Sequence, residues 1–286
     1  MSGNLPSLPR LMIDEKAKDA LLEDWGRAGD ITSQATLPAD AKAEAFLASR
    51  NAGVLAGIEL AESAFRQTDA ELVFEPFVSD GGKLERGTKI ARISGPARSI
   101  LFAERVALNY ACHLSGIATA TSHFAEAIAH TKAHIVCTRK TTPGLRAFEK
   151  YAVRCGGGMN HRFGLDDAIL IKDNHVAVAG GVVAAVRAAK AFAGHLVKIE
   201  LEVDTLDQLA EALPQRPDVV MLDNMNPAEL AKAVEMAAGQ VLLEASGGIE
   251  LDTVRAVAEA GVDLISTGWI THSAPILDLG LDIEMQ

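Results

Sequence analysis

The stretch Ala168-Ile169-Leu170-Ile171, followed at once by Lys172-Asp173-Asn174, decides the fold. A short apolar run followed at once by polar residues reads as one strand with a functional end. The same unit recurs on either side. His134–Cys137 precedes Thr138-Arg139-Lys140, Val197–Glu202 comes next after the central unit, and Val219–Leu222 precedes Asp223-Asn224. Val241–Ala245 then leads into Ser246-Gly247-Gly248, and Leu264-Ile265 into Ser266-Thr267-Gly268. Amphipathic, alanine-rich segments separate most of these runs: Thr205–Leu213, Pro227–Ala238 and Leu251–Gly261. Alternating β and α units of this size build a parallel sheet. Polar and glycine residues gathered just past the strand ends are what the active face of an α/β barrel requires. Six runs fall short of the usual eight strands, so the expectation is an incomplete TIM-like barrel. A doubly wound open sheet is the alternative, but neither GxGxxG nor a Walker A loop is present.

The half of the chain before these repeats reads differently. Ile13–Gly26 has apolar residues at helical spacing, and Gly29-Asp30-Ile31-Thr32-Ser33 reads as a turn. Val54–Ala64 reads as strand then helix, and Leu72–Val78 alternates like a half-buried strand. Short β runs broken by glycines between Gly81 and Gly95 have the rhythm of a biotinyl-type half-barrel, without the methionines that flank a carrier lysine. A long helix is expected over 97–130.

With 286 residues, 49% hydrophobic and 23% charged, the composition is globular and not that of a disordered or collagen-like chain. A formal net charge of −11 argues against a general nucleic-acid or membrane-surface binder. Three cysteines without CxxC spacing argue against a disulfide scaffold and favour a reducing cytoplasm. No signal peptide or bilayer-spanning run is read in the sequence.

The strand ends hold Arg139, Lys140 and Lys172 beside Glu202 and Asp223, with two small glycine loops after the last strands. Guanidinium groups grip carboxylates or phosphates through two parallel hydrogen bonds, and lysine supplies a point charge. A carboxylate pair beside them would repel an anion unless a divalent cation sat between, which points to Mg²⁺ shared with substrate phosphates. Either acid alone could serve simply to cap the next helix, and glycine loops alone are commonly turns. The densest segment, 138–165, sets Arg139, Lys140, Arg146, Lys150, Arg154 and Arg162 into an acidic chain. Its Gly156-Gly157-Gly158 run beside Asn160-His161-Arg162 reads as backbone brought close to a ligand. His130 and His134 have helical metal-ligand spacing but no HExxH context, and Cys137 and Cys155 have no triad pattern. Packing or surface roles are expected for all four.

The motifs TRKTTPGLR, EKYAVRCGGGMNHRFGL and DDAILIKDNH closely resemble the quinolinate phosphoribosyltransferases. The likeness continues in order through GDITS, AERVALNYACHLSGIAT, LEVD, MLDNM, EASGGI and STGWITHSA, over nearly the whole chain. Met159 stands where that family varies. The resemblance implies an N-terminal α/β sandwich domain over 1–115, onto which the tail 276–286 packs, and a barrel domain over 116–275. It also implies transfer of a phosphoribosyl group from phosphoribosyl pyrophosphate to quinolinate with Mg²⁺ and loss of CO₂, in NAD biosynthesis. Carried over by position, Arg139, Arg162 and Lys172 bind the two carboxylates, with Thr138 and His161 in that pocket. Arg105 reaches it from the neighbouring subunit of a homodimer. Lys140, Glu202 and Asp223 hold the Mg-pyrophosphate and ribose, Glu202 and Asp223 partly through substrate or water. Ser246, Gly247, Gly248, Ser266, Thr267 and Gly268 cradle the 5-phosphate. The residues expected to act in catalysis are Lys140, Lys172, Glu202 and Asp223. Competing readings are a molybdenum-operon paralogue, a lyase with Lys172 as Schiff-base nucleophile, and a metabolite sensor without catalysis.

Overall fold

The computed structural model describes residues 5–284, so residues 1–4 and 285–286 at the ends of the expected domain stretches lie outside it. The chain opens with α1 (Arg10–Trp25), α2 (Ile31–Thr36), β1 (Lys42–Ser49), β2 (Gly53–Val54), α3 (Ile58–Thr68) and β3 (Val73–Pro76). It continues through β4 (Lys83–Leu84), β5 (Lys89–Pro96) and the long α4 (Ala97–Ala127) to β6 (His134–Val136), α5 (Arg146–Cys155) and β7 (Ile169–Ile171). Then come α6 (Asp173–Ala179), α7 (Val182–Phe192), β8 (Ile199–Val203), α8 (Leu206–Ala212), β9 (Val219–Asp223) and α9 (Pro227–Ala237). The last elements are β10 (Leu242–Ser246), α10 (Val254–Glu259), β11 (Leu264–Ser266), α11 (Trp269–His272) and β12 (Leu279–Glu284).

Two compact units result. The first takes the chain up to Ser122, Ala147–Gly157 and the residues from Ala274 onward; the second takes His123–Arg146 and Gly158–Ser273. The sequence reading divides the chain at residue 115, but α4 runs through that position without interruption.

In the first unit an antiparallel sheet has the order β12-β1-β5-β3, and β2 pairs with β4 in a separate ribbon. The glycine-rich stretch thus divides between a four-stranded sheet and this ribbon. The core joins Leu47 of β1, Ile93 of β5, Phe65 of α3, Ile100 and Ala107 of α4, and Leu277 and Leu279 of the returning tail. Gly29–Ser33 is not a free turn: Asp30 caps α2, its carboxylate accepting the Ser33 amide at 3.0 Å. The Gly156–Gly158 run also differs from the reading as a ligand approach. A Cβ on Gly156 would lie 2.2 Å from the Ala118 carbonyl oxygen, so that glycine lets the end of α5 close on α4.

In the second unit all six expected strands form one parallel sheet of order β6-β11-β10-β9-β8-β7. This is barrel winding with the β6–β7 seam unpaired, and Met159 adds a single parallel bridge beside Val136. Register sets the interior. Glu202 and Glu244 stand level with Met221 from either side, and Asp223 stands level with Ser246. Strand residues two apart share a face, so Glu200 and Glu202 look the same way. Capping boxes start α8 at Thr205 and α9 at Asn226, which ends the preceding turns and keeps the strand ends short. Among the described residues no single helix is long and apolar enough to cross a membrane.

Candidate active site

The C-terminal strand ends of the second unit surround a cavity of about 740 Å³. Thr138, Arg139 and Lys140 follow β6 into it, Lys172 follows β7, Glu202 lies on β8 and Asp223 ends β9. His161 and Arg162 enter from the loop before β7, while Ser246–Gly248 and Ser266–Gly268 supply the ends of β10 and β11. The residues expected from sequence are brought together with one exception. Arg105 is an exposed residue of α4 in the first unit and does not line the cavity.

Among the described residues, the positive side is built from two arginines, Arg139 and Arg162, whose Nε atoms have no hydrogen-bond partner. Arg162 is anchored by the backbone just before β7, with Nη1 donating to the Ala168 carbonyl oxygen at 3.2 Å. Its loop is pinned by Asp167, which accepts the Phe163 and Gly164 amides at 2.6 and 2.8 Å. The Nε atoms of Arg139 and Arg162 are both buried without a hydrogen-bond partner. Burial, and then the neighbouring Arg139 charge, push the Arg162 guanidinium below its ordinary value. Two half-satisfied guanidinium groups on one cavity wall are costly unless an anion completes them.

Across the strand ends, Lys172 Nζ donates to Glu202 Oε2 at 2.7 Å. Asp223 accepts the Asn224 side-chain amide through Oδ2 at 2.6 Å. Each carboxylate is thereby engaged through one oxygen, and both line the same cavity on adjacent strands. An all-oxygen pair of this kind fits a hard divalent cation completed by substrate phosphates.

The glycine loops are shaped by backbone conformation. Gly247 and Gly248 have φ of 101° and 57°, and Asn224 beside them has φ 54°. A Cβ on Gly247 would lie 2.2 Å from Asn224 Oδ1, so the β9 and β10 ends interlock. Gly268 gives the Lys140 stem its bed, since a Cβ there would lie 2.8 Å from Lys140 Cδ. Thr267 Oγ1 donates to the Ile249 carbonyl oxygen at 3.0 Å, and Thr271 Oγ1 donates to that of Lys140 at 2.7 Å. The Thr267 hydroxyl is thus engaged in holding the loop.

Sequence reasoning passed over Asn224, Glu244, Trp269 and His272, which also line the cavity. Only the barrel period could have found Glu244, because an inward position on a strand is normally apolar. The four residues with expected packing or surface roles resolve locally. His130 Nε2 lies 3.0 Å from Glu259 Oε1, His134 is the first residue of β6, and Cys137 and Cys155 are buried and in no disulfide.

The family model of the quinolinate phosphoribosyl transferase N-terminal domain matches residues 30–115, and that of the C-terminal domain matches 117–282. The chain belongs to the quinolinate phosphoribosyltransferase family. Within it, the chain is similar to the nicotinate-nucleotide pyrophosphorylase (carboxylating) of Mycobacterium leprae, 45% identical over 92% of this chain and 94% of that one. A probable enzyme of the same name from Bacillus subtilis is 42% identical over 92% of this chain and 91% of its own. Among solved structures, the nicotinate-nucleotide pyrophosphorylase of Francisella tularensis superposes with a TM-score of 0.94. It is 39% identical and covers 99% of this chain and all of that one. The two family domains meet at residues 115–117, inside the continuous α4.

Proposed function

We propose that this quinolinate phosphoribosyltransferase homologue joins quinolinate to the ribosyl group of phosphoribosyl pyrophosphate and decarboxylates the adduct. The products are nicotinate mononucleotide, pyrophosphate and CO₂, a step of NAD biosynthesis. The observation that carries this reading is the pair of buried, unpartnered Nε atoms of Arg139 and Arg162, on the same cavity as the carboxylates of Glu202 and Asp223. A dicarboxylate completes the arginines; a metal-bound diphosphate answers the acids.

In this reading Arg139, Arg162 and Lys172 grip the two carboxylates, with Thr138 and His161 beside them. Lys140 faces the departing pyrophosphate, and Ser246–Gly248 with Ser266–Gly268 take the 5-phosphate. Glu202 and Asp223 are the residues that would hold Mg²⁺ when it is bound. The ion, when bound, neutralises charge on the leaving diphosphate. As that group leaves, positive charge grows on the ribose, and the fixed carboxylates of Glu202 and Asp223 stabilise it electrostatically. The pyridine nitrogen forms the new bond to C1 as the bond to pyrophosphate breaks; the 2-carboxylate then leaves as CO₂, its electron pair stays on C2 beside the ring cation, and C2 takes up a proton from water. Catalytic roles fall to Lys140, Lys172, Glu202 and Asp223.

Lys172 speaks for this reading over a Schiff-base lyase. An ammonium 2.7 Å from a buried carboxylate serves as a cation rather than as an amine nucleophile. A sensor has no use for acids beside an anion site, and a molybdenum-operon paralogue would not need so many cations. Arg105 is taken to serve the neighbouring subunit of a homodimer, as its exposure on α4 permits. A cytoplasmic location accords with three cysteines that form no disulfide among the described residues. The deciding experiment supplies phosphoribosyl pyrophosphate and Mg²⁺ with either quinolinate or nicotinate. CO₂ and pyrophosphate released in equal amounts from quinolinate alone is the expected result, and equal turnover of nicotinate refutes it.

A further inference from the structure

The cavity floor carries chemistry that the transfer reading leaves unused. Interior layers of an α/β barrel are ordinarily filled by branched apolar side chains. Here one layer holds Glu200 of β8 and Glu244 of β10, with His161 reaching in from its loop. One ligand-type atom from each of the three lies within 4.8 Å of the others. Glu244 is only 1% exposed yet lines the cavity, and its Oε1 has no hydrogen-bond partner. Among the described residues, neither glutamate pairs with a lysine or arginine; the basic group beside both is His161.

The histidine decides between a metal site and a proton network. The Arg162 amide N–H donates to His161 Nδ1 at 2.7 Å. The ring proton therefore sits on Nε2, which lies 2.6 Å from Glu200 Oε2 and donates to it. With both ring nitrogens so used, no lone pair is left for an ion, and the trio orders protons. Burial first, and then the Glu200 charge, push Glu244 up to about 7, with His161 and the Ser266 hydroxyl pulling the other way. On the same cavity wall stand Glu202 of β8 and Asp223 of β9 on the acidic side. Arg139, Arg162 and Lys172 stand on the basic side, and β11 brings the uncharged Ser266.

We propose that Glu244 is a further substrate-binding residue, an O–H donor to one carboxylate of the bound diacid, held in position by Glu200 and His161. The inference rests on the functional reading above and adds a sign to it. With its proton, the glutamate completes an anion site; without it, the same side chain repels a dianion.

The test measures the quinolinate dissociation constant of the full-length chain by titration calorimetry, without phosphoribosyl pyrophosphate. In the unaltered protein the constant should be flat near pH 6 and rise above pH 7, approaching about tenfold per pH unit. Glu244→Gln, which keeps an N–H donor and cannot ionise, should be flat throughout and bind more tightly than the unaltered chain at high pH. Glu200→Gln removes the neighbouring negative charge, so it should move the rise to lower pH, a shift that a purely structural role would not produce. That variant and the unaltered profile carry the test should Glu244→Gln not fold. A flat unaltered profile, an undisturbed rise in Glu244→Gln, or a stoichiometric metal ion whose chelation abolishes binding would each overturn the proposal. Absence of quinolinate binding at every pH would overturn the functional reading, and this inference with it.

Discussion

Lys172 Nζ lies 2.7 Å from Glu202 Oε2, joining the end of β7 to β8 across the cavity mouth. The lysine is half exposed, whereas the carboxylate is 9% exposed. Lys172→Ala therefore strands a nearly buried acid beside an anion site. The expected result is a fall in kcat/KM for quinolinate of about 10²–10³-fold with the fold retained, because positioned charge is the main catalytic resource here. Steady-state CO₂ release together with a thermal melt would check both halves.

Arg162→Ala removes a guanidinium that is buried, partly unsatisfied and next to another cation. Its loss should raise the KM for quinolinate roughly a hundredfold, in line with a charge-assisted pair of about 2–3 kcal/mol. Without ligand the variant should melt no lower than the parent, since the repulsion by Arg139 goes with the side chain. The rise in Tm that quinolinate gives the parent should be absent in the variant, and a retained rise would count against the assignment.

Gly247→Ala tests the interlocked strand ends. At φ 101° an alanine is strained, and its Cβ meets Asn224 Oδ1 at 2.2 Å. Destabilisation of roughly 1–3 kcal/mol is expected in denaturant melts, from a strained backbone of this kind. The KM for phosphoribosyl pyrophosphate should rise more than that for quinolinate.

Stability should carry a signature of Glu244. Its folded value of about 7 stands above the ordinary 4.5, so between these the folded chain keeps a proton that the unfolded chain has released. The contribution is fully present below the ordinary value and is lost as pH rises through about 7. Unliganded protein should lose up to about 1.4 kcal/mol of stability per pH unit across that window from this group. Glu244→Gln should remove that slope, as denaturant titrations at several pH values would show.

Arg105 offers a test of subunit sharing. Arg105→Ala and Lys172→Ala should each be nearly inactive alone. If Arg105 serves a neighbouring cavity, mixing and reassembling the two variants restores activity in a fraction of sites, whereas independent subunits give none.

Much of the second unit was legible because its strands are short apolar runs followed at once by polar residues, and because Thr205 and Asn226 announce the starts of α8 and α9. Ala168–Ile171 and Val219–Leu222 contain no residue that competes for another structure, and β7 and β9 form there. The segment 146–155 was not legible as a helix: its cations read as a binding face, yet Glu149 and Lys150 are fully buried in α5. Asp30 looked like part of a turn because a cap and a turn use the same residue types. At the site, charged residues at strand ends were found by position. Glu244 escaped because burying an acid inside a barrel layer makes sense only once Glu200 and His161 are seen around it.

The edge strand β12 lies beyond the whole second unit in the chain, yet it pairs with β1 over six residue pairs, and Leu277 and Leu279 belong to the core of the first unit. The sheet of the first unit therefore cannot cover its β1 edge until the chain beyond the second unit has been made. Trimming the chain before Leu279, or tethering its end to a surface, would leave an open hydrogen-bonding ladder on which other chains can stack.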